Sequence, residues 1–401
     1  MSIAEPALDD LSTPLSVAPP LPNDERLARL RLARSRNVGP RTYGDLMRRY
    51  GSAKRALAAL PELASRGGAR NYQAMEHAEA EAELAAGQAA GAELVLLGER
   101  AYPPLLAAID NPPPALWVKG RLDILQREAL AVVGARNASA LGLRAVRRIV
   151  TELAGDGLVI VSGLARGIDA AAHETSLATG TIAVMAGGVD QIYPPEHAEL
   201  AERIAETGCL ISECPMGIEP GSRHFPRRNR LISGLARGVL LVEAAIRSGS
   251  LITARYALDQ GREVMACPGT PEDPRAGGCN SLIRDGAALI RDGSDVREAL
   301  CGPRTLGLAE DGNDFVFDAD EYGDETMRDD YDALTDFDEV GAADDRALSD
   351  QVLTLLGPHP TEVDDVAREC GVAPADLSLL LLELELSGQV QILPGGMVSR
   401  L

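Results

Sequence analysis

The sequence predicts an α/β protein whose central domain is a doubly wound, Rossmann-like parallel sheet. Six short apolar segments between residues 128 and 299 alternate with helical patterns, and the first three end at glycines. Continuous apolar strands that alternate with helices are typical of a parallel sheet covered on both faces. The predicted strands are Ala129–Val133, Leu158–Val161, Thr181–Met185, Cys209–Ser212, Val239–Val242 and Glu263–Ala266.

Composition and helical spacing divide the rest of the chain. Residues 1–23 are rich in Pro, Ala and Ser, which predicts a disordered leader, and residues 24–91 carry apolar residues at helical spacing. We expect the Rossmann-like domain over residues 101–300 and a low-complexity acidic linker over 303–345. In the tail, 346–401, three helical segments and a terminal hairpin predict a winged helix-turn-helix.

The negative charge of the chain is concentrated in one tract. The net charge is −21, but residues 309–345 hold 16 acids and one base, which leaves −6 for the remainder. The acidic balance therefore does not exclude nucleic acid as a partner. No lysine occurs between residues 127 and 298, so any phosphate contact there must come from arginine. The linker is expected to be a solvated tether; the alternative is that it competes with DNA for those arginines.

Several classes of function find no support in the motifs. The six cysteines lack C-x-x-C spacing, which argues against a zinc site or a disulfide framework and fits a reducing cytoplasm. Neither a G-x-G-x-x-G fingerprint nor a P-loop is present, so we expect no nucleotide cofactor and no metal. The first residues lack a signal-peptide pattern, and no apolar run is long enough to cross a membrane.

Glycine and arginine recur at one predicted edge of the sheet. In an open parallel sheet, ligands bind at the carboxyl ends of the strands, where the strand order reverses. Gly134 and Arg136 follow the first predicted strand, and Gly163 and Arg166 follow the second. Glycine lets the backbone approach an anion, and an arginine can clamp a phosphate. A phosphate-binding rim is therefore favoured over glycines that serve packing alone.

A cation cluster follows further along the chain. Residues 225–230 read Phe-Pro-Arg-Arg-Asn-Arg, and no acid lies between Glu219 and Glu243. We predict a proline-fixed turn that presents guanidinium groups to phosphates and an aromatic ring to a base. Glu243 is expected to hold Arg228 or Arg230 in position.

Candidate catalytic residues are sparse. Asp169 and His173 are one helical turn apart and could serve acid–base chemistry, although a helix-packing pair is the favoured interpretation. Glu243 at a strand end is a second candidate carboxylate. The alternative to DNA binding is therefore a Rossmann-like nucleotide hydrolase or phosphoribohydrolase that uses Glu243 or Asp169.

Taken in order, these motifs closely resemble the DprA/Smf family. The resemblance covers about residues 101–290, and the flanks resemble the family's helical SAM-like or helix-hairpin-helix module and its winged helix. It rests on Gly134-Ala135-Arg136, Ser162 to Asp169, Gly187 to Asp190 with Tyr193-Pro194, Ser212-Glu213, Phe225 to Arg230, Val242-Glu243-Ala244, Ser248 to Ala254 and Gly278 to Ile283.

The resemblance implies a dimeric, non-enzymatic, cytoplasmic protein of natural transformation. Such proteins bind and shield incoming single-stranded DNA and load the RecA recombinase. Ala135 stands where the family usually has serine, which removes one hydroxyl donor. The DNA-binding residues that the resemblance implies are Gly134, Arg136, Gly163, Arg166, Phe225, Arg227, Arg228, Asn229, Arg230 and Asn280.

The tail does not have the composition of a base-reading module. A winged helix that reads DNA carries basic or amide side chains on its second motif helix. The corresponding segment, 375–386, has three acids, no base and a dense run of leucines. We therefore predict that it packs or contacts protein, and a third hypothesis makes the protein an adaptor that recruits partners through this module.

Overall fold

The computed structural model describes residues 21–66, 72–301 and, in the tail, 352–353, 355–356, 360–370, 372, 374–393 and 396–400. The predicted leader up to residue 20 and the predicted linker lie outside the described residues. The chain divides into two units. One comprises residues 1–57 and 75–300, and the other comprises residues 58–74 and 301–401.

Four helices precede the sheet, as the helical spacing predicts. They are α1 (Asn23–Arg34), α2 (Pro40–Tyr50), α3 (Ala53–Arg66) and α4 (His77–Ala89). Helix α2 begins at a proline, whose missing N–H needs no partner in a first turn, and it ends at Gly51 in the left-handed region. Trp117 of the sheet donates a hydrogen bond from Nε1 to Glu83 on α4, at 2.9 Å.

The central sheet has nine strands in the order β1-β2-β6-β5-β4-β3-β7-β8-β9. Strands β3 to β9 are parallel, whereas β1 and β2 extend the sheet as antiparallel strands beyond β6. The strands are β1 (Ala92–Leu96), β2 (Ala115–Gly120), β3 (Ala129–Gly134), β4 (Val159–Ser162), β5 (Thr181–Val184), β6 (Cys209–Ser212), β7 (Gly238–Val242), β8 (Glu263–Ala266) and β9 (Ala288–Leu289).

Helices connect the strands and cover both faces, which confirms the doubly wound fold. The β3 side chains alternate between two cores, with Ala131 and Val133 in one and Leu130 and Val132 in the other. The helices are α5 (Pro104–Ala107), α6 (Ala140–Leu153), α7 (Ile168–Ser176), α8 (Ala198–Thr207), α9 (His224–Gly234), α10 (Gly249–Asp259), α11 (Gly277–Arg284) and α12 (Gly293–Cys301).

The topology fixes where a ligand can bind. The chain winds outward from β3 through β4 and β5 to β6, and then returns to place β7 on the other side of β3. The carboxyl ends of β3 and β7 therefore flank a topological switch point, where open α/β sheets bind ligands.

The described part of the tail confirms the predicted winged-helix order. It contains β10 (Thr361–Glu362), α13 (Val363–Cys370), α14 (Pro374–Ser387), β11 (Val390–Leu393) and β12 (Met397–Arg400). The strands pair in the order β10-β12-β11. Leu377, Leu381 and Leu384 on α14 are buried in the core of this module, so part of the leucine run packs internally, as predicted.

Candidate functional site

The loops that follow β3 and β4 pack closely against each other, because glycines stand at their points of contact. Gly167, after β4, has φ of 75°, and a Cβ atom there would lie 2.3 Å from the Ala135 carbonyl oxygen. The N–H of Ile168 donates to that same oxygen at 3.2 Å. A Cβ at Gly134 would lie 2.0 Å from the carbonyl oxygen of Val242. These glycines therefore permit close approach of neighbouring backbones, and they leave Arg136 exposed on the loop after β3.

The predicted proline-fixed turn is instead the first turn of a helix. Helix α9 begins at His224, so Phe225 and Pro226 lie at its start and the arginines follow on successive helical positions. Proline is tolerated there because a first-turn N–H has no intrahelical partner. Successive residues on a helix point about 100° apart. The arginines of α9 therefore enter different environments.

Arg228 is buried, contrary to the expectation of a surface cation. It is 6% exposed and donates from Nη1 to the Val184 carbonyl at 3.0 Å. Burial lowers the pKa of Arg228 to about 10, while the charge of Asp169 opposes that shift. A Cβ at Gly163 would lie 1.7 Å from Arg228 Nη1, so this glycine makes room for the guanidinium.

Arg227 and Arg230 share a carboxylate that the sequence did not single out for this role. Glu213 accepts from Arg230 at 2.5 Å and from Arg227 at 2.8 Å, and its side chain is 11% exposed. Arg230 is 14% exposed, whereas Arg227 is 60% exposed. Arg34 on α1 donates to the Glu213 carbonyl oxygen at 3.0 Å and so braces the same loop.

The prediction that Glu243 holds an arginine of α9 was wrong. Glu243 accepts from the Ser139 N–H at 2.8 Å and also bonds the Ser139 hydroxyl, which in turn caps α6 through the Gly142 N–H. Glu243 has φ of 56°, an unfavourable value for a residue with a side chain. Its carboxylate therefore ties the end of β7 to the start of α6.

Aromatic rings mark the centre of the site. The Arg136 guanidinium carbon lies 5.4 Å from the centroid of the Phe225 ring, and that of buried Arg228 lies 5.8 Å from it. Tyr193, 46% exposed, meets Phe225 edge-on with centroids 5.8 Å apart. The sequence did not predict a binding role for Tyr193, although its place in the Tyr193-Pro194 motif could have indicated one. Phe225 thus lies close to both a surface arginine and a buried one.

The remaining predicted residues divide into one exposed cation and two amides that bond backbone. Arg166 pairs through Nε with Glu196, and the side chains are 60% and 47% exposed. Asn229 donates to the Gly249 carbonyl at 3.3 Å. Asn280 uses both amide atoms on Gly269, accepting at 3.1 Å and donating at 3.0 Å. The amides thus fix neighbouring loops, whereas Arg166 faces solvent.

Asp169 and His173 do not form a catalytic pair. Asp169 is buried and accepts from the N–H groups of Gly163 at 3.1 Å and Ala165 at 3.3 Å; burial raises its pKa, and the charge of Arg228 opposes that shift. The Nδ1 of His173 lies 2.7 Å from the Thr181 hydroxyl, and burial lowers its pKa to about 3. The favoured packing interpretation is confirmed. Within the described ranges, no cluster of His, Cys, Asp or Glu could hold a metal.

Of the arginines predicted to bind DNA, three are exposed at the carboxyl edge of the sheet: Arg136, Arg166 and Arg227, which we call the arginine rim. Phe225 and Tyr193 lie within it. The site is thus a cationic, aromatic edge of a doubly wound sheet, typical of a class that binds anionic ligands. In the part of the chain that the structure describes, no helix has the length and apolarity needed to cross a membrane.

Comparison with known proteins identifies the family. Residues 93–301 match the model of DNA recombination-mediator protein A, residues 23–86 match the DprA-like N-terminal HHH domain, and residues 339–396 match the DprA winged helix domain. The chain belongs to the DNA recombination-mediator protein A family, as the sequence motifs indicated.

Individual relatives agree with this assignment. Protein Smf of Escherichia coli is 41% identical over 300 residues, which cover 74% of each chain. DNA processing protein DprA of Streptococcus pneumoniae is 45% identical over 197 residues, 49% of this chain and 70% of that protein. The X-ray structure of DNA processing protein A from the same species superposes with a TM-score of 0.60 at 34% identity, covering 70% of this chain and 98% of that one.

Proposed function

We propose that this protein binds single-stranded DNA across the arginine rim in a DNA-processing role. The carrying observation is the exposed Arg136 guanidinium 5.4 Å from the Phe225 ring at the switch point. A phosphate can meet the guanidinium while an unstacked base meets the aromatic pair. Bases in a duplex are already stacked, so this arrangement favours a single strand.

Family membership supports a wider role for this binding. We propose that the protein acts in the cytoplasm as a homodimer, shields incoming single-stranded DNA and passes it to the RecA recombinase. The two less exposed arginines serve this role indirectly: the Arg228 guanidinium lies 5.8 Å from the centre of the Phe225 ring, and Arg230 holds Glu213 beside Arg227.

Nucleotide hydrolysis has less support from the geometry. The two candidate carboxylates, Glu243 and Asp169, each accept backbone N–H groups inside the fold. Asp169 is also only 6% exposed. These backbone contacts support a structural role for both carboxylates.

Oligo(dT) binding measured across a salt series tests the proposal. The logarithm of the association constant should fall linearly with the logarithm of salt concentration, by ~0.7 for each phosphate contacted on a single strand. A duplex of equal length should bind more weakly. In parallel, the protein is incubated with nucleoside monophosphates. Release of free base from the nucleotides would contradict the proposal. So would an oligo(dT) affinity that does not change with salt concentration.

A further inference from the structure

Two arginines of the rim are already paired with carboxylates, Arg227 with Glu213 and Arg166 with Glu196, and only the Arg166 pair is exposed on both sides. Arg166 Nε donates to a carboxylate oxygen of Glu196, which lies in the short turn Pro195–His197 that leads into α8. The two side chains are 60% and 47% exposed. The pair differs from Glu213 with Arg230, whose side chains are only 11% and 14% exposed. The Glu196 carboxylate thus sits in the solvent-facing position that a DNA phosphate would take on Arg166.

An exposed ion pair of this kind is weak enough to exchange. Pairs in solvent contribute about 0–1 kcal/mol, because water screens them and both side chains lose rotamer freedom. The hydrogen bond from Arg166 lowers the pKa of Glu196, so the carboxylate is charged at neutral pH. A phosphate that takes the Nε position on Arg166 must therefore displace a charged competitor, and one that binds the other N–H groups meets its repulsion at close range.

We propose that Glu196 is an affinity-setting residue, an internal anion that competes with DNA phosphate for Arg166. This inference rests on the proposed function, since it assumes that phosphates approach the rim. In the free protein the Glu196 carboxylate accepts a hydrogen bond from Arg166 Nε. In the DNA complex the carboxylate turns to solvent and a phosphate takes its place. Glu196 therefore weakens binding and limits the number of counterions that DNA binding releases.

Substitution of Glu196 by glutamine tests the competition. The E196Q variant keeps the size of the side chain but removes its charge, and we expect it to bind oligo(dT) about 1.5- to 5-fold more tightly. The salt dependence should become steeper by up to ~0.7, because one more phosphate contact is fully made. Glu199 is the matched control. It is exposed, lies three residues further on and forms no ion pair within the described residues.

The comparison of variants decides between competition and general repulsion. E199Q makes the same change in net charge, so its gain measures the long-range effect alone. The specific gain of E196Q should vanish in an Arg166→Ala background. An equal gain in E196Q and E199Q, or a gain that persists without Arg166, would overturn the inference while leaving DNA binding intact. A wild-type protein that does not bind oligo(dT) would remove both the inference and the function on which it rests.

Discussion

Replacing Asp169 by alanine is expected to lower the free energy of unfolding by about 2–6 kcal/mol, because each of two N–H groups, one buried and one half-buried, costs about 1–3 kcal/mol when it is left without an acceptor. Asp169 opposes the burial of the Arg228 charge and accepts two backbone N–H groups in the loop after β4. Without it, the guanidinium stays buried with no nearby counter-charge, and both N–H groups lose an acceptor. Urea unfolding followed by fluorescence of Trp117, the single tryptophan, reports on this sheet.

Three further variants separate charge from hydrogen bonding. Asp169→Asn removes the charge but keeps an acceptor, so its loss of stability should be smaller than that of the alanine variant. Adding Arg228→Met to Asp169→Asn should destabilise by less than the sum of the single changes. Asp123→Ala removes an exposed carboxylate and should leave the midpoint unchanged. Wild-type stability of Asp169→Ala would show that Arg228 needs no counter-charge.

Acidification should destabilise the protein through His173, by about 1.4 kcal/mol per pH unit at most. Burial is the main reason that the pKa of His173 is about 3 instead of 6.5, and the charges of His197 and Arg228 add to it. Below pH 6.5 the imidazole of His173 binds a proton in the unfolded chain but stays neutral in the folded chain. The contribution of His173 to stability is therefore complete above pH 6.5 and is lost as the pH falls from 6.5 toward 3.

The pH dependence can be assigned by substitution. Between pH 6.5 and 4.5, the unfolding free energy of a His173→Gln variant should fall less steeply than that of the wild type. Should the His173 variant fail to fold, the ring resonances of wild-type His173 should still show no titration above pH 4.5. A titration of His173 near pH 6.5 in the folded protein would contradict this assignment.

The fold could be predicted because its signals are local. Each parallel strand that was identified is a short apolar run, and glycines mark the turns after β3, β4 and β5. Strand β1 was missed, although Gly91 and Gly98 flank it, because it lies outside the run of alternating strands and helices. The antiparallel direction of β2 depends on its partner strands β1 and β6, which no local pattern encodes.

The sequence predicted which segments lie together at this edge of the sheet, but not which arginines are buried and which are exposed. The structure places residues 225–230 beside the loops after β3 and β4, which contact each other. Which guanidinium is buried depends on the direction in which each residue of α9 points. The sequence could not give that direction, because Pro226 suggested a turn and not a helix. The carboxylates that pair with the arginines come from other segments of the chain: Glu213 directly follows β6, and Glu196 precedes α8. Tertiary folding alone brings those carboxylates to the rim.

The salt dependence of oligo(dT) binding by an Arg136→Ala variant tests the central claim most directly. Arg136 is exposed and stacks on Phe225 at the switch point, so its loss should weaken binding and reduce the salt slope by ~0.7. Arg121→Ala is the matched control, because Arg121 is an exposed arginine at the opposite edge of the sheet, where Gly120 pairs with Cys209. The account predicts a wild-type slope for Arg121→Ala and a reduced one for Arg136→Ala; wild-type affinity and slope for Arg136→Ala would contradict it.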